Sequence, residues 1–74
     1  MHELEVFLNG EAEKLAVLEP LFLQGFLEKF SHKHDGFNNI VVAVNEHFIP
    51  KERYGSTILH NCDRVEILQA FPGG

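Results

Sequence analysis

The chain of 74 residues closes on Phe71-Pro72-Gly73-Gly74. A terminal α-carboxylate that lies beyond two residues without side chains can thread a narrow channel and reach the α-phosphate of ATP. Adenylation would turn that carboxylate, a poor electrophile, into a mixed anhydride with a good leaving group. A sulfur nucleophile could then displace AMP, and the thiocarboxylate so formed carries a sulfur that a partner can take up. Gly74 is therefore the candidate reacting residue, and Pro72 and Gly73 form the tail that presents it. Two terminal glycines alone remain weak support, because many unrelated chains end in them.

The remaining reactive side chains form no comparable constellation. Cys62 is the single cysteine, and Asp63 beside it supplies a negative charge where a reactive thiolate needs positive surroundings. His32 and His34 sit in a polar run with Asp35, and two imidazoles in one loop fall short of the usual closed set of four zinc ligands, so no metal is expected. Asn9-Gly10 is an isolated pair, and no glycine-rich phosphate loop follows a strand. Most carboxylates fall on alternating positions that read as solvated strand faces. No permanently bound cofactor is expected, and ATP would belong to the partner that activates the tail.

A formal net charge of -5 repels a phosphate backbone, which argues against nucleic acid and fits steering toward a basic protein partner. With 45% apolar residues the chain has the material for a core, but its length allows only one. No stretch is long and apolar enough for a membrane span, the start lacks the pattern of a signal peptide, and one unpaired cysteine fits a reducing cytoplasm. The expected organisation is a domain over residues 1–71 and a flexible tail over 72–74.

The elements that must position the tail follow from periodicity. Leu4, Val6 and Leu8 alternate with Glu3, Glu5 and Phe7, which predicts a half-buried first strand. Asn9-Gly10 suits a tight turn, with a return arm expected over residues 14–18. Pro20 is placed to open a helix whose apolar stripe is Phe22, Leu23, Phe26, Leu27 and Phe30; Gly25 within it marks close packing or simple tolerance. The β-branched run over residues 40–44 predicts a strand covered on both faces near the middle of the sheet. Asn45-Glu46-His47 turns the chain into a short edge strand, Phe48-Ile49, which Pro50 stops. Residues 51–59 have no clean period and read as a connection with one helical turn. Asn61-Cys62-Asp63 turns into a last strand over residues 64–71, with Val65, Ile67 and Phe71 sharing one face. A helix crossing one face of a mixed four- to five-stranded sheet, with the first and last strands as neighbours, is the α+β class of the β-grasp, ubiquitin-like type.

Ala43-Val44-Asn45-Glu46 followed by Ile49-Pro50-Lys51, then Asp63-Arg64-Val65-Glu66-Ile67 and the Gly73-Gly74 end, resemble the ThiS family of sulfur carriers over nearly the whole chain. The resemblance implies a sulfur carrier in thiamine (thiazole) biosynthesis. Its Gly74 would be adenylated by a ThiF-like enzyme, sulfurated with help from a cysteine desulfurase or another donor, and used by a ThiG-like thiazole synthase. The chain would then be a protein substrate rather than an enzyme. Two departures stand out. Cys62 occupies a position where family members usually carry glycine, which implies a strained positive φ. Pro72 gives the tail a likeness to MoaD, the small subunit of molybdopterin synthase. A MoaD-like carrier, a ubiquitin-like modifier of lysines and a binding module with an incidental tail stay open as alternatives. Phe7, Leu68 and Ala70 are expected to point outward near the tail and, with Phe71 at its root, to form a partner-binding patch, unless a loop or a dimer covers them.

Overall fold

The fold is that of a computed structural model, which describes residues 2–18, 20–30 and 39–69. Asn9 and Gly10 carry φ values of +49° and +88°. A two-residue hairpin turn needs this left-handed pair, and through it strand β1 (His2–Leu8) folds back on β2 (Glu11–Val17). The register runs from Leu8↔Glu11 at the turn to His2↔Val17 at the open end. The return arm thus begins at Glu11 and not at residue 14, because so tight a turn sets residue 11 opposite residue 8 whatever its own propensity. Leu18, expected inside the arm, lies past it and is exposed.

Helix α1 (Leu23–Phe30) turns Leu23, Phe26 and Leu27 into the core, and the Phe30 ring tilts against Phe26 at a centroid distance of 4.7 Å. It starts three residues after Pro20, contrary to the sequence reading. Leu21 and Phe22 instead form a short strand β3 (Leu21–Phe22), antiparallel to β6 (Ile58–Leu59). The connection that carries β6 also caps the helix. The Leu23 amide donates to the Thr57 carbonyl at 2.7 Å and the Gln24 amide to the Tyr54 carbonyl at 2.9 Å, satisfying two of the donors that a helix start leaves free. Phe22, placed in the helical stripe by its spacing, is therefore exposed on a strand. The expected helical turn in the connection is a 3-10 turn over Lys51–Arg53; β6, only two residues long, is too short to show a period.

Strand β4 (Ile40–Val44) passes through a second two-residue turn, Asn45 and Glu46 at φ +51° and +70°, into β5 (His47–Ile49). Strand β7 (Arg64–Gln69) inserts between the two hairpins, parallel to β1 and antiparallel to β4. The order among the described residues is β2-β1-β7-β4-β5, a mixed sheet with α1 against one face. This is the β-grasp arrangement. Val6, Val42 and Val65 point from neighbouring strands at Leu23, Phe26 and Leu27, and all six are fully buried. Each contributes about 1.5–3 kcal/mol through burial. Leu4, Leu15, Tyr54 and Leu59 close the rim.

The reading of β4 as covered on both faces is corrected. Val42 is fully buried, whereas Val41 is 40% exposed. Only one face meets the helix, so the β-branched run records strand propensity and not double burial. The predicted loop with His32, His34 and Asp35, the patch residues Ala70 and Phe71, and the 72–74 tail lie outside the described residues.

Candidate functional site

The last strand is gripped by an asparagine from each two-residue turn. Asn45 donates its amide to the Arg64 carbonyl at 2.7 Å, and its side-chain Oδ1 accepts from the Arg64 amide at 2.9 Å. Its Nδ2 donates to Asp63 Oδ1 at 2.9 Å. On the other flank, the Asn9 amide donates to the Val65 carbonyl at 2.9 Å, Oδ1 accepts from the Ile67 amide at 2.8 Å, and Nδ2 donates to the Ile67 carbonyl at 3.4 Å. In both places a left-handed turn bends the main chain away and the side-chain carboxamide takes over the ladder.

The loop that feeds β7 is equally tied down. The Cys62 amide donates to the Glu5 carbonyl at 2.7 Å, the Glu5 amide to Asn61 Oδ1 at 2.9 Å, and the His60 amide to Asp63 Oδ2 at 2.7 Å. Cys62 holds φ at +71°, as the sequence reading required of the position where glycine was expected. Its thiol is free and exposed and borders a hollow with Phe7, Gly10, Arg64 and Glu66. Arg64 and Glu46 lie 3.9 Å apart across the same hollow, an exposed pair of small energetic weight. Among the described residues no group of three or more His, Cys, Asp or Glu side chains is placed to hold a metal ion, and no helix is long and apolar enough to cross a membrane.

Because Val65 is buried, alternation turns Arg64, Glu66 and Leu68 to the face opposite the helix. Leu68, expected to point outward, is 67% exposed. Phe7 also lies on this face, paired with Arg64 across the sheet, but it is half-buried and not free. Leu68 is instead surrounded by residues that sequence reasoning did not choose. Val41 is its direct cross-strand partner, Ala43 pairs with Glu66, and Phe48, 65% exposed, pairs with Ala43. Val41, Ala43, Phe48 and Leu68 form an apolar patch on the open face of β7, β4 and β5. Period-two alternation from a buried Val42 would have revealed it, had the run 40–44 not been read as buried throughout. Ala70, Phe71, Pro72, Gly73 and Gly74 follow on from this strand and lie outside the described residues.

The architecture is similar to that of a known protein in two solved forms. A crystal structure of a thiamine biosynthesis protein (ThiS) from Geobacter metallireducens matches with a TM-score of 0.79 at 21% identity, covering 96% of this chain and 100% of that one. A solution structure of a thiamine biosynthesis protein from the same organism matches with a TM-score of 0.74 at 21% identity, covering 96% and 88%. At that identity the likeness establishes the fold. No curated protein sequence matches the chain. A family model adds what the fold alone does not, matching residues 6–74 and so running from the first strand through the glycine end. The chain, with its asparagine-gripped last strand leading into that end, belongs to the ThiS family.

Proposed function

We propose that this ThiS-family chain is a sulfur carrier of thiamine biosynthesis and that the α-carboxylate of Gly74 is its reacting group. The observation that carries the reading is the family match, which extends through residue 74 and so includes Gly73-Gly74. A ThiF-like enzyme would bind ATP and transfer its adenylyl group to the Gly74 carboxylate, releasing pyrophosphate. Sulfur from a cysteine desulfurase or another donor would then displace AMP, and a ThiG-like thiazole synthase would consume the thiocarboxylate. The chain itself holds no cofactor in this scheme and acts as substrate and carrier in a reducing cytoplasm. Val41, Phe48 and Leu68 offer the activating enzyme an apolar docking surface beside the strand that leads to Gly74, with half-buried Phe7 on the same face.

Incubation with ATP, a ThiF-like enzyme and a sulfur source should add the mass of one oxygen-to-sulfur exchange, located at Gly74 by tandem mass spectrometry. Sulfur found on Cys62 as a persulfide would refute the carrier mechanism. The gene should also restore thiamine-independent growth to a bacterium lacking its own ThiS. Pro72→Ala should change the rate but not the pathway, since proline restricts only its own φ and the residue before it. Removal of Gly74, or addition of one residue after it, should abolish the rescue. Rescue of a MoaD-deficient strain alone would transfer the chain to molybdopterin synthesis.

A further inference from the structure

We propose that Asn9, through its side-chain carboxamide, is a positioning residue for the strand that leads toward Gly74: it fixes the last point at which β7 is held from both sides. The functional half of this inference rests on the carrier reading above.

Strand pairing between β1 and β7 ends at Leu8↔Val65. A regular parallel ladder would continue with the residue 9 carbonyl accepting from the Ile67 amide and the residue 11 amide donating to the Ile67 carbonyl. At Asn9 the main chain turns into the hairpin, at φ +49°, and can do neither. The Asn9 carboxamide supplies both groups instead, Oδ1 for the Ile67 amide at 2.8 Å and Nδ2 for its carbonyl at 3.4 Å. One side chain thus extends β1 by a step that its backbone does not take.

The extension decides where β7 stops being held from both sides. Ile67 turns its amide and carbonyl toward β1 and Asn9, so the next backbone groups on that side belong to Gln69. Among the described residues no strand lies opposite them, and on the other side Leu68 and Gln69 are in register with Val41 and Ile40 of β4. Ile67 is the last described residue with a partner on both flanks, and beyond it Leu68 and Gln69 face β4 alone. Without the carboxamide the two-sided grip retreats to Val65, and Glu66 and Ile67 join Leu68 and Gln69 as residues held by β4 alone. A longer stretch held on one flank only has more conformational freedom to lose when the carrier docks, which weakens binding but leaves the chemistry at a seated carboxylate unchanged.

Asn9→Gly separates this role from that of the turn, since glycine adopts the positive φ but has no carboxamide. In the free variant the Ile67 amide should exchange with solvent about tenfold faster while Val65 stays as protected as before. With a ThiF-like enzyme and ATP, KM for the carrier in pyrophosphate exchange should rise about three- to tenfold with kcat changed less than about twofold. Asn9→Asp keeps an oxygen for the Ile67 amide and should restore both the protection and most of the KM. Unchanged exchange at Ile67, a wild-type KM despite lost protection, or a fall confined to kcat each overturns the proposal. A wild-type chain that is not adenylated overturns the carrier reading and the positioning role with it, while the exchange measurement still decides separately whether Asn9 holds Ile67.

Discussion

Asn45 and Arg64 face each other one step past the last β4–β7 pair, where a side-chain oxygen takes the place of a main-chain carbonyl. The same carboxamide reaches Asp63, so one residue sets both the turn into β5 and the entry into β7. Asn45→Ala loses these bonds and also places alanine at φ +51°, and should destabilise the fold by about 2–3 kcal/mol. Asn45→Gly tolerates the dihedral and should lose about half of that. Urea midpoints at constant m-value measure the difference.

The apolar patch gives a test of docking. Leu68 and Phe48 are 67% and 65% exposed, so Leu68→Ser and Phe48→Ser should change stability by no more than about 0.5 kcal/mol. Affinity for the activating enzyme should fall about tenfold or more if these side chains sit at the centre of the interface. Phe7→Ser should weaken binding at some cost in stability, because Phe7 is half-buried. Unchanged affinity in the Leu68 and Phe48 variants removes the patch from the docking surface.

Cys62 separates strain from chemistry. At φ +71° a glycine is the better fit, and Cys62→Gly should raise stability by about 1 kcal/mol in thermal melts. Cys62→Ser keeps the strain, removes the thiol and should still be thiocarboxylated at Gly74, as read by intact mass.

The sequence left two readings of Gly25, and the structure decides for tolerance. A methyl group there would meet Leu21 Cδ1 at 4.0 Å, an ordinary contact. Gly25→Ala should stabilise α1 by up to about 1 kcal/mol, visible as a higher denaturant midpoint.

Burial pushes the Tyr54 phenol above its ordinary value of 10.0, and the charge of Glu52 adds to the effect. The folded state therefore favours the neutral phenol. Its contribution to stability is fully present below the unfolded pKa and disappears as pH rises through the higher folded one. Unfolding free energy should fall with pH above about 10, the ordinary range of tyrosine. Tyr54→Phe should flatten that fall in alkaline denaturation curves.

How much of this was legible depended on the range over which each signal acts. The β1 alternation, the Asn9-Gly10 turn, the 40–44 strand and the final strand are local patterns and appear in the structure with small shifts of boundary. Leu23, Phe26 and Leu27 were readable as a helix face because three buried positions at helical spacing suffice. Phe22 was misread because its partner, Ile58, lies far along the chain and forms a strand too short for any period. The second role of Asn9 was hidden for the same reason. Its suitability for a turn is local, whereas its grip on Ile67 exists only once the first and last strands are neighbours. On the open face of the sheet the outward placement of Leu68 was legible, while the exposure of Val41 and Phe48 was missed, since β-branched and aromatic residues look alike whether a strand is covered once or twice.

The placement of β7 between two hairpins bears on how the molecule is made in the cell. The pair β2-β1 and the pair β4-β5 share no ladder with each other and join only through β7, which follows every other described strand in the chain. While residues beyond 63 are still inside the ribosome, the emerged part holds two hairpins that no strand joins. Folding into the five-stranded sheet has to wait until β7 has left the ribosome. A chain cut short before β7 leaves the two hairpins unjoined, so every molecule with the complete sheet already carries the strand that leads toward the glycines.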